Sequence, residues 1–320
     1  GPLESMIPAM TGGANLAVTE ANASGKYLQG TINVVQGDSV CVDAAVAIAQ
    51  AEKMVNEDNV IAIMGPNCSG NTMAVIEGVV VPNGILSISP SATSPAVDSV
   101  VDNDFFFRTA PPDTKQGPML AKVAMSRGQT DMAVTYSNSD YGKALADAFV
   151  TAYEAAGGTV TAYASHEDDK ADYSAEVAAL SAGGSATLAV LGYADTGGRG
   201  ILAASEDTGA FTDYVFGDGM ISELTAGAVS DGSWGAKPAP SKELSDAWEI
   251  VATAGGVEGT AIFSGESYDA MALIILASQA AGSTDRAAIA AEVMNIANGP
   301  GIQCAAGELG TCLKYISGGL

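Results

Sequence analysis

Residues 65–72, which read Gly-Pro-Asn-Cys-Ser-Gly-Asn-Thr, carry the pattern with the most potential for ligand chemistry. They follow a predicted strand and open a predicted helix, and ligands of parallel α/β folds collect at such strand ends. The free amides of a first helical turn favour an anion, and Ser69 adds a hydroxyl. Because Asn71 stands where a phosphate-binding loop carries lysine, the pattern indicates a carboxylate site. The alternative is that Ser69 or Asn71 only caps the helix.

The next predicted strand ends in a second small polar turn at residues 89–95. Consecutive parallel strands end at the same edge of a sheet, so this turn is expected beside the first. Thr93 offers a hydroxyl and a backbone amide there. The turn is predicted to form a shallow hydrogen-bonding shelf, and the alternative is an ordinary turn.

Three later strand ends carry aromatic or acidic side chains. Tyr141 and Tyr193 follow two of these strands and can flank a ligand with their rings while their hydroxyls donate. Asp218 lies between two glycines after a third strand and can pair with an ammonium group. Taken singly, each has a structural alternative, a packing tyrosine or a turn residue. Together with Ser69 and Thr93 they predict a receptor for a zwitterion.

Catalytic and cofactor motifs are not found. The sequence has no G-x-S-x-G elbow and no G-x-G-x-x-G after a strand, so we expect neither a nucleophilic hydrolase nor a nucleotide cofactor. The single histidine, His166, begins a run of charged residues and is interpreted as solvated surface. With no C-x-x-C and one histidine, a zinc site is not expected.

The elements that must position these residues alternate along the chain. Strands are predicted at residues 60–64, 85–89, 132–136, 160–164, 188–191 and 214–216. Helices are predicted at residues 42–56, 72–81, 142–156, 173–181 and 198–208, and the last third adds 242–254, 266–281 and 285–298. This alternation predicts an α/β fold with parallel sheets covered by helices.

Two stretches that combine proline with small residues, 107–112 and 231–238, are interpreted as connections between two lobes. The predicted first lobe comprises residues 1–110 and 236–298, and the predicted second lobe comprises residues 111–235 and 299–320. The first lobe would carry the carboxylate side of the site and the second the tyrosines and Asp218.

Composition limits the possible partners. The chain has 320 residues, 13 Lys+Arg and 37 Asp+Glu, so its formal net charge is −24, which disfavours nucleic acid and anionic membranes. No apolar run reaches the roughly 18–20 residues needed to span a bilayer. We therefore expect a small-molecule ligand, and a monomer.

The four cysteines fall in two pairs along the chain, Cys41 with Cys68 and Cys304 with Cys312. The even count fits two disulfides in an oxidising compartment, and the alternative is four buried thiols. No signal peptide is visible, and the opening Gly1-Pro2-Leu3 is interpreted as a cloning remnant and left out of the fold prediction.

Several segments, taken in order, resemble the branched-chain-amino-acid-type periplasmic binding proteins of ABC transporters, the leucine/isoleucine/valine-binding group. They are residues 65–70, 88–95, 107–110, 140–142, 192–193, 217–219 and 267–270, and the likeness covers nearly the whole chain. The resemblance implies the type I fold, two doubly wound parallel-sheet lobes joined by hinge crossings. It also implies a periplasmic receptor that closes its lobes on a solute and delivers it to a membrane permease.

The same resemblance implies roles for single residues. The residue matching Ser69 binds the ligand carboxylate, and those matching Ser91, Ala92 and Thr93 bind its amino and carboxylate groups. Tyr141 and Tyr193 would line the far lobe, and Asp218 would pair with the ligand amine. Cys41 and Cys68 would be bridged, while the Cys304–Cys312 bridge is a separate expectation.

The chain departs from the family pattern at its start. Ser5 and Met6 already lead into the first helix, which is predicted to run to about Ala23, where the family has a central strand and a ligand-facing loop. Ser5 and Met6 are therefore a possible part of the side-chain pocket. Asp218 is shorter than the glutamate of some members.

Three other functions are weighed. The same fold can bind an amide, urea or aromatic carboxylate, and such a ligand would leave Asp218 without a cationic partner. A sensor domain of a signalling receptor is a further alternative. An enzyme using Ser69 or His166 is disfavoured, because the motifs named above are lacking.

Overall fold

The computed structural model describes residues 1–222 and 232–318. The chain divides into two compact units, each with its own parallel sheet. We call them the three-stranded unit (Met6–Ala92, Ser99–Ala110 and Ala239–Leu320) and the five-stranded unit (Gly1–Ser5, Thr93–Asp98 and Pro111–Pro238).

Strands and helices alternate through most of the chain. The strands are β1 (Ala62–Met64), β2 (Leu86–Ser89), β3 (Phe106–Arg108), β4 (Asp131–Ser137), β5 (Thr159–His166), β6 (Thr187–Leu191), β7 (Asp213–Phe216) and β8 (Trp234–Gly235). The α-helices are α1 (Ile7–Ser24), α2 (Ala44–Asn56), α3 (Ser69–Val75), α4 (Val81–Asn83), α5 (Asp113–Ser126), α6 (Asp140–Ala155), α7 (Ser174–Ser181), α8 (Arg199–Thr208), α9 (Lys242–Ala254), α10 (Ser264–Ala281), α11 (Arg286–Asn298) and α12 (Leu309–Ser317). Two π-helical turns, Ile76–Val80 and Ala194–Gly198, continue or precede helices.

The three-stranded unit has the parallel strand order β1-β2-β3. Successive strand residues serve opposite faces of this sheet. Ile63 joins an apolar cluster with residues of α2 and of the Ile76–Val80 turn, whereas Met64 packs against a cluster formed by β2, α10 and α11. Both faces are thus covered, which explains why these strands read as continuous apolar runs.

Helices α1 and α10 of this unit approach each other closely at Gly13. A Cβ atom at Gly13 would lie 2.1 Å from the Ser264 carbonyl oxygen, so no larger residue fits there without a backbone shift. The contact seats α1 on a core that includes Tyr268 and Ile275. Helix α12 packs into the same core through Leu313.

The five-stranded unit has the parallel strand order β5-β4-β6-β7-β8. Leu188 and Val190 of β6 pack with residues of α7 and α8 in one apolar cluster. On α5, Gly117 permits a close approach to α6, because a Cβ atom there would lie 2.6 Å from the Phe149 backbone nitrogen. The helix that begins at Asp113 is thereby fixed against its neighbour.

Side-chain caps fix the start of several helices. Asp43 accepts hydrogen bonds from the backbone amides of Ala45 and Val46 at the start of α2. Ser139 accepts one from Gly142 at the start of α6. Each such cap contributes about 1 kcal/mol, and the cap at Ser139 also fixes the first turn that carries Tyr141.

The predicted elements compare well with the structure where the pattern was strong. All six predicted strands are found, and α9 has the predicted bounds. The predicted connection at 107–112 begins with the last two residues of β3 and leads into α5, and the connection at 231–238 contains β8. Unit boundaries fall within or at the end of these stretches, after Ala110 and after Pro238. Asp231 lies outside the described residues. Helices α5 and α12 were not predicted, and α5 was hidden by Gly117 and Pro118 within it.

The unit boundaries differ from the predicted lobes at four places, one of which is residues 236–238, predicted in the first lobe but part of the five-stranded unit. Residues 299–318 were predicted in the second lobe but belong to the three-stranded unit, because α12 packs on α1 and α10. Residues 1–5 and 93–98 belong to the five-stranded unit. Among the described residues, no helix combines the length and the apolar character that crossing a bilayer requires.

Candidate functional site

Ser69 is the first residue of α3, directly after the strand β1 and the turn at 65–68. It is 2% exposed. Asn71 donates to the Ser39 carbonyl at 2.6 Å, and the Thr72 hydroxyl lies 3.0 Å from the Cys68 carbonyl. The N-cap residue of α3 is Cys68, whose side chain makes no capping hydrogen bond.

Three serine hydroxyls join the ends of β1 and β2. Ser87 donates to the Gly65 carbonyl at 2.6 Å and Ser89 donates to the Pro66 carbonyl at 2.5 Å. Ser91 donates to the Asn67 carbonyl at 2.8 Å. We call these three residues the serine staple. The Ser91 hydroxyl therefore already donates its proton to a hydrogen bond within the protein.

The turn after β2 is held by further internal bonds. The Ala92 amide donates to the Ser89 hydroxyl at 3.0 Å, and the Ala92 carbonyl accepts from Arg108 Nη1 at 2.9 Å. Both backbone groups that the resemblance assigns to ligand binding at Ala92 are thus engaged within the three-stranded unit.

Thr93, the next residue, belongs to the five-stranded unit. Its carbonyl accepts from the Asp113 amide at 2.9 Å. The side chain is 1% exposed, and its hydroxyl has no hydrogen-bond partner among the described residues. A buried hydroxyl without a partner costs about 1–3 kcal/mol, a cost that a hydrogen bond to a further group would offset.

Tyr141, Tyr193 and Asp218 come together in the five-stranded unit. The Tyr141 hydroxyl donates to Asp218 Oδ1 and accepts from the Gly219 amide at 2.9 Å. The Tyr193 ring lies 4.9 Å from the Tyr141 ring, centroid to centroid, with the planes tilted by 37°. The structure therefore places these three sequence-predicted residues in one buried cluster, which we call the Tyr-Asp cluster.

Burial governs the ionisation of this cluster. It raises the pKa of Asp218 to about 6, although hydrogen bonds from Tyr141 and the Gly219 amide act in the opposite direction. Burial, with the nearby Asp218 charge, also raises the pKa values of Tyr141 and Tyr193, so both hydroxyls stay neutral donors at physiological pH. The groups that hydrogen-bond to the carboxylate, Tyr141 and the Gly219 amide among them, are neutral, which makes it receptive to a cation.

Two residues near this cluster were missed by the sequence analysis. Asp113, at the start of α5, is fully buried, and its charge contributes to the raised pKa values of both tyrosines. Gln116, one turn later, has both amide atoms buried and lowers the pKa of Asp218. These two residues stand three positions apart, directly after Pro111 and Pro112, where a helix can begin. That spacing of an acid and an amide was the sequence signal that could have identified them.

Ser5 and Met6 are placed in different units. The exposed Ser5 donates its backbone amide to Asp195 Oδ2 at 2.7 Å, and Met6 is 3% exposed in the three-stranded unit. Pro2 and Leu3 are buried as well. These opening residues therefore take part in packing, although the fold prediction left them out. A ligand role of Ser5 and Met6 stays a prediction.

Both predicted disulfides are present. Cys41–Cys68 has Cα atoms 5.4 Å apart and closes a segment of 27 residues, ending one residue before Ser69. Cys304–Cys312 has Cα atoms 5.9 Å apart and ties an exposed loop to the buried side of α12. By the loop-closure argument the first bridge contributes about 3–4 kcal/mol.

His166 does not lie on solvated surface, contrary to the sequence interpretation. It is 1% exposed, at the end of β5, and burial lowers its pKa to about 4. Because charged residues follow His166 in the sequence, its burial could not be recognised from the sequence pattern. Among the described residues, no group of three His, Cys, Asp or Glu side chains is arranged to hold a metal ion.

Comparison with known proteins identifies the family. A family model described as "Periplasmic binding protein" matches residues 1–301. Leu/Ile/Val-binding protein homolog 1 of Brucella melitensis biotype 1 is 30% identical over 280 residues, which cover 85% of this chain and 74% of the relative. The chemotactic signal transduction system substrate-binding protein BasB of Halobacterium salinarum is 25% identical over 317 residues, covering 95% of this chain and 73% of the relative.

Solved structures agree with that result. The branched-chain amino acid transporter substrate-binding protein LivJ of Streptococcus pneumoniae, in complex with isoleucine, has a TM-score of 0.78 at 25% identity. The match covers 92% of this chain and 85% of that one. A solute-binding protein of R. palustris in complex with 4-hydroxybenzoate has a TM-score of 0.76 at 20% identity, covering 91% and 81%, and shares the fold.

These proteins are named as binding proteins and not as enzymes. They confirm the predicted α/β fold with two parallel-sheet lobes and the predicted resemblance. The chain belongs to the periplasmic binding protein family, and within it to the type that includes the Leu/Ile/Val-binding proteins.

Proposed function

We propose that this binding protein is the extracytoplasmic receptor of an ABC importer for a small amino acid, with an aliphatic side chain as the first candidate. The observation that carries the proposal is the Tyr-Asp cluster, in which the groups that hydrogen-bond to the buried Asp218 carboxylate are neutral throughout the described residues. An ammonium group would supply the missing positive charge. The Leu/Ile/Val-binding relatives and the isoleucine complex of LivJ support the same ligand class.

The two ends of an amino acid would be recognised by different residues. We assign the ligand carboxylate to Ser69 and Thr93, since Thr93 keeps a buried hydroxyl without a partner among the described residues. The ammonium group is assigned to Asp218, and the rings of Tyr141 and Tyr193 would pack along the ligand. Ser91 and Ala92 would act mainly by holding the turn, because their donors are already engaged.

The family implies the remaining steps of the proposal. The two lobes would close on the ligand, and the liganded receptor would dock as a monomer on a membrane permease in the periplasm. Closure is favoured only by contacts that the ligand makes in the closed state, so Asp218 and the tyrosines would contribute both affinity and the drive to close.

Calorimetric titration tests the proposal directly. L-Leucine, L-isoleucine and L-valine are titrated into the refolded, ligand-free protein, with 4-hydroxybenzoate and urea as comparison ligands. At least one amino acid is expected to bind well below millimolar, because a millimolar dissociation constant corresponds to only about 4 kcal/mol. Binding of none of a full set of amino acids would overturn the proposal.

Asp218→Asn separates the two ligand classes. The substitution keeps the shape but removes the charge, and a charge-assisted hydrogen bond contributes about 1.5–3 kcal/mol. Amino-acid affinity should therefore fall by about 10- to 150-fold. Strong binding of 4-hydroxybenzoate with unchanged affinity in Asp218→Asn would instead favour the aromatic carboxylate alternative.

A signalling role is a second candidate, since BasB is a chemotactic substrate-binding protein that aligns with 95% of this chain. The ligand chemistry would be the same and the membrane partner would differ. Crosslinking of the liganded protein to membranes from its own source, followed by identification of the captured partner, distinguishes a permease from a transducer.

A further inference from the structure

The buried imidazole of His166 lies directly behind the turn that carries Tyr193. His166 ends β5, and its Nδ1 shares a hydrogen bond with the Thr135 hydroxyl of β4 at 2.8 Å. The ring of Tyr173 meets it edge-on at 6.2 Å between centroids. Two neighbours therefore fix the plane of the imidazole from one side.

The other side of the imidazole faces the backbone of the turn. A Cβ atom at Gly192 would lie 3.2 Å from His166 Nε2, and one at Gly197 would lie 2.9 Å from the same nitrogen. These two glycines stand on either side of residues 193–196. The imidazole thus rests against both ends of the turn, at positions where a larger residue would displace it.

Asp168, two residues after His166, supports the same turn. Its Oδ2 accepts from the Ser137 hydroxyl at 2.8 Å, and its Oδ1 would lie 2.9 Å from a Cβ atom at Gly197. Burial raises the pKa of this carboxyl, and the side chains of Ser137 and Thr196 partly offset that effect. His166 and Asp168 together connect the ends of β4 and β5 with the turn after β6.

We infer that His166 is a positioning residue for ligand binding, which holds the turn at residues 192–197 so that the Tyr193 ring stays packed on Tyr141 beside Asp218. The inference rests on the proposed function for its ligand readout and on contacts within the five-stranded unit for its geometry. His166 contacts the backbone on both sides of Tyr193 and therefore acts through Tyr193.

The imidazole acts by shape and hydrogen bonding and not by charge. Burial lowers its pKa to about 4, with the charge of Glu176 acting weakly in the opposite direction, so the ring is neutral at pH 7. Thr135, Tyr173, Ser137 and Asp168 are polar or titratable side chains near it in the described part of the chain. A neutral replacement therefore tests position without changing the charge of the site.

Hydrogen exchange of the ligand-free protein tests the geometry alone. His166→Asn keeps a polar group near Thr135 but removes the ring from the two glycines. Amide exchange in peptides covering 190–199 should rise at least fivefold, while peptides covering α6 stay unchanged. The control is Tyr214→Phe, which loses a buried hydrogen bond to Ser205 in the same unit and should leave the 190–199 exchange unchanged.

Equal exchange in His166→Asn and in the unsubstituted protein would overturn the inference. If His166→Asn does not fold, Thr135→Val provides the comparison, because it removes the Nδ1 hydrogen bond that fixes the ring against the turn. The same rise in 190–199 exchange is then expected, and no rise overturns the inference.

Affinity supplies the second readout. His166→Asn should weaken binding of the best amino acid at least fivefold, and this loss should disappear in a Tyr193→Ala background. Full additivity of the two losses would contradict action through Tyr193. Failure of the unsubstituted protein to bind any amino acid counts against the proposed function, and the exchange measurement then decides the positioning role separately.

Discussion

The carboxylate of Asp218 is the residue whose environment is most specific in this molecule. It is buried, bonded to a tyrosine hydroxyl and a backbone amide, and held at a pKa of about 6 by that burial. Near neutral pH it is mostly ionised while its desolvation remains uncompensated. A ligand cation would offset this desolvation cost, so ligand affinity should depend on the protonation state of Asp218.

Amino-acid affinity should therefore depend on pH in one direction. Above the Asp218 pKa of about 6 the carboxylate is already ionised and the dissociation constant should be flat. Below it, the ligand must displace a proton, and the dissociation constant should rise, approaching about tenfold per pH unit. Both tyrosines stay neutral across this range because their pKa values are raised.

Titration calorimetry at pH 5, 6, 7 and 8 checks this expectation. Asp218→Asn is the control and should show the same weak affinity at each pH. A pH-independent affinity in the unsubstituted protein would contradict the assignment of the ammonium group to Asp218.

Tyr141→Phe should damage both stability and binding. The substitution leaves the buried Asp218 carboxylate and the Gly219 amide without their shared partner, at a cost of about 1–3 kcal/mol. The control is Tyr153→Phe, which removes a hydroxyl that donates to the Gln129 carbonyl away from the cluster. Urea unfolding should show a lower free energy of unfolding in both variants, whereas only Tyr141→Phe should weaken ligand binding.

Among the elements, α5 connects packing with the site. Its first turn carries Asp113 and Gln116, and Gly117 sets its distance from α6. The helix is held in place by a contact that only glycine permits. The position of α5 therefore depends on the lack of a Cβ atom at Gly117.

Gly117→Ala should lower the free energy of unfolding by about 1–3 kcal/mol, because the added Cβ would lie 2.6 Å from the Phe149 backbone nitrogen. Gly301→Ala is the matched control, since a Cβ there would meet nothing within 4 Å. Thermal unfolding of both variants measures the difference. A similar melting temperature for Gly117→Ala and the unsubstituted protein would show that α5 can shift freely.

The elements also show how far sequence reasoning reaches. Buried parallel strands read as apolar runs, so their ends, and with them Ser69, Tyr141, Tyr193 and Asp218, could be located in advance. Helix α5 could not, because two prolines precede it and Gly117-Pro118 interrupts its pattern. The burial of His166 could not be predicted, because the residues that follow it in the sequence are charged. In the structure, its neighbours include Thr135 and the backbone of two glycines.

At the scale of the whole molecule, the formal net charge of −24 is the dominant electrostatic property. Ion pairs such as Lys143 with Asp147 and Lys242 with Asp246 are exposed. Exposed pairs contribute little, so self-repulsion of the acidic surface opposes the folded state.

Salt should therefore stabilise this protein. Raising the ionic strength from about 0.01 M to about 1 M shortens the screening length from ~30 Å to ~3 Å. The thermal unfolding midpoint should rise with sodium chloride, and sucrose at the same osmolality controls for solvent exclusion. An unfolding midpoint that stays constant or falls with salt would contradict net self-repulsion.

The serine staple has a consequence for the rates of ligand exchange. Ser87, Ser89 and Ser91 hold the turns after β1 and β2 through the protein's own carbonyl groups. These turns are therefore ordered before any solute arrives, and an incoming solute meets no folding delay at this edge. Different amino acids should then arrive at similar speeds, and discrimination among them should reside in how long each one stays.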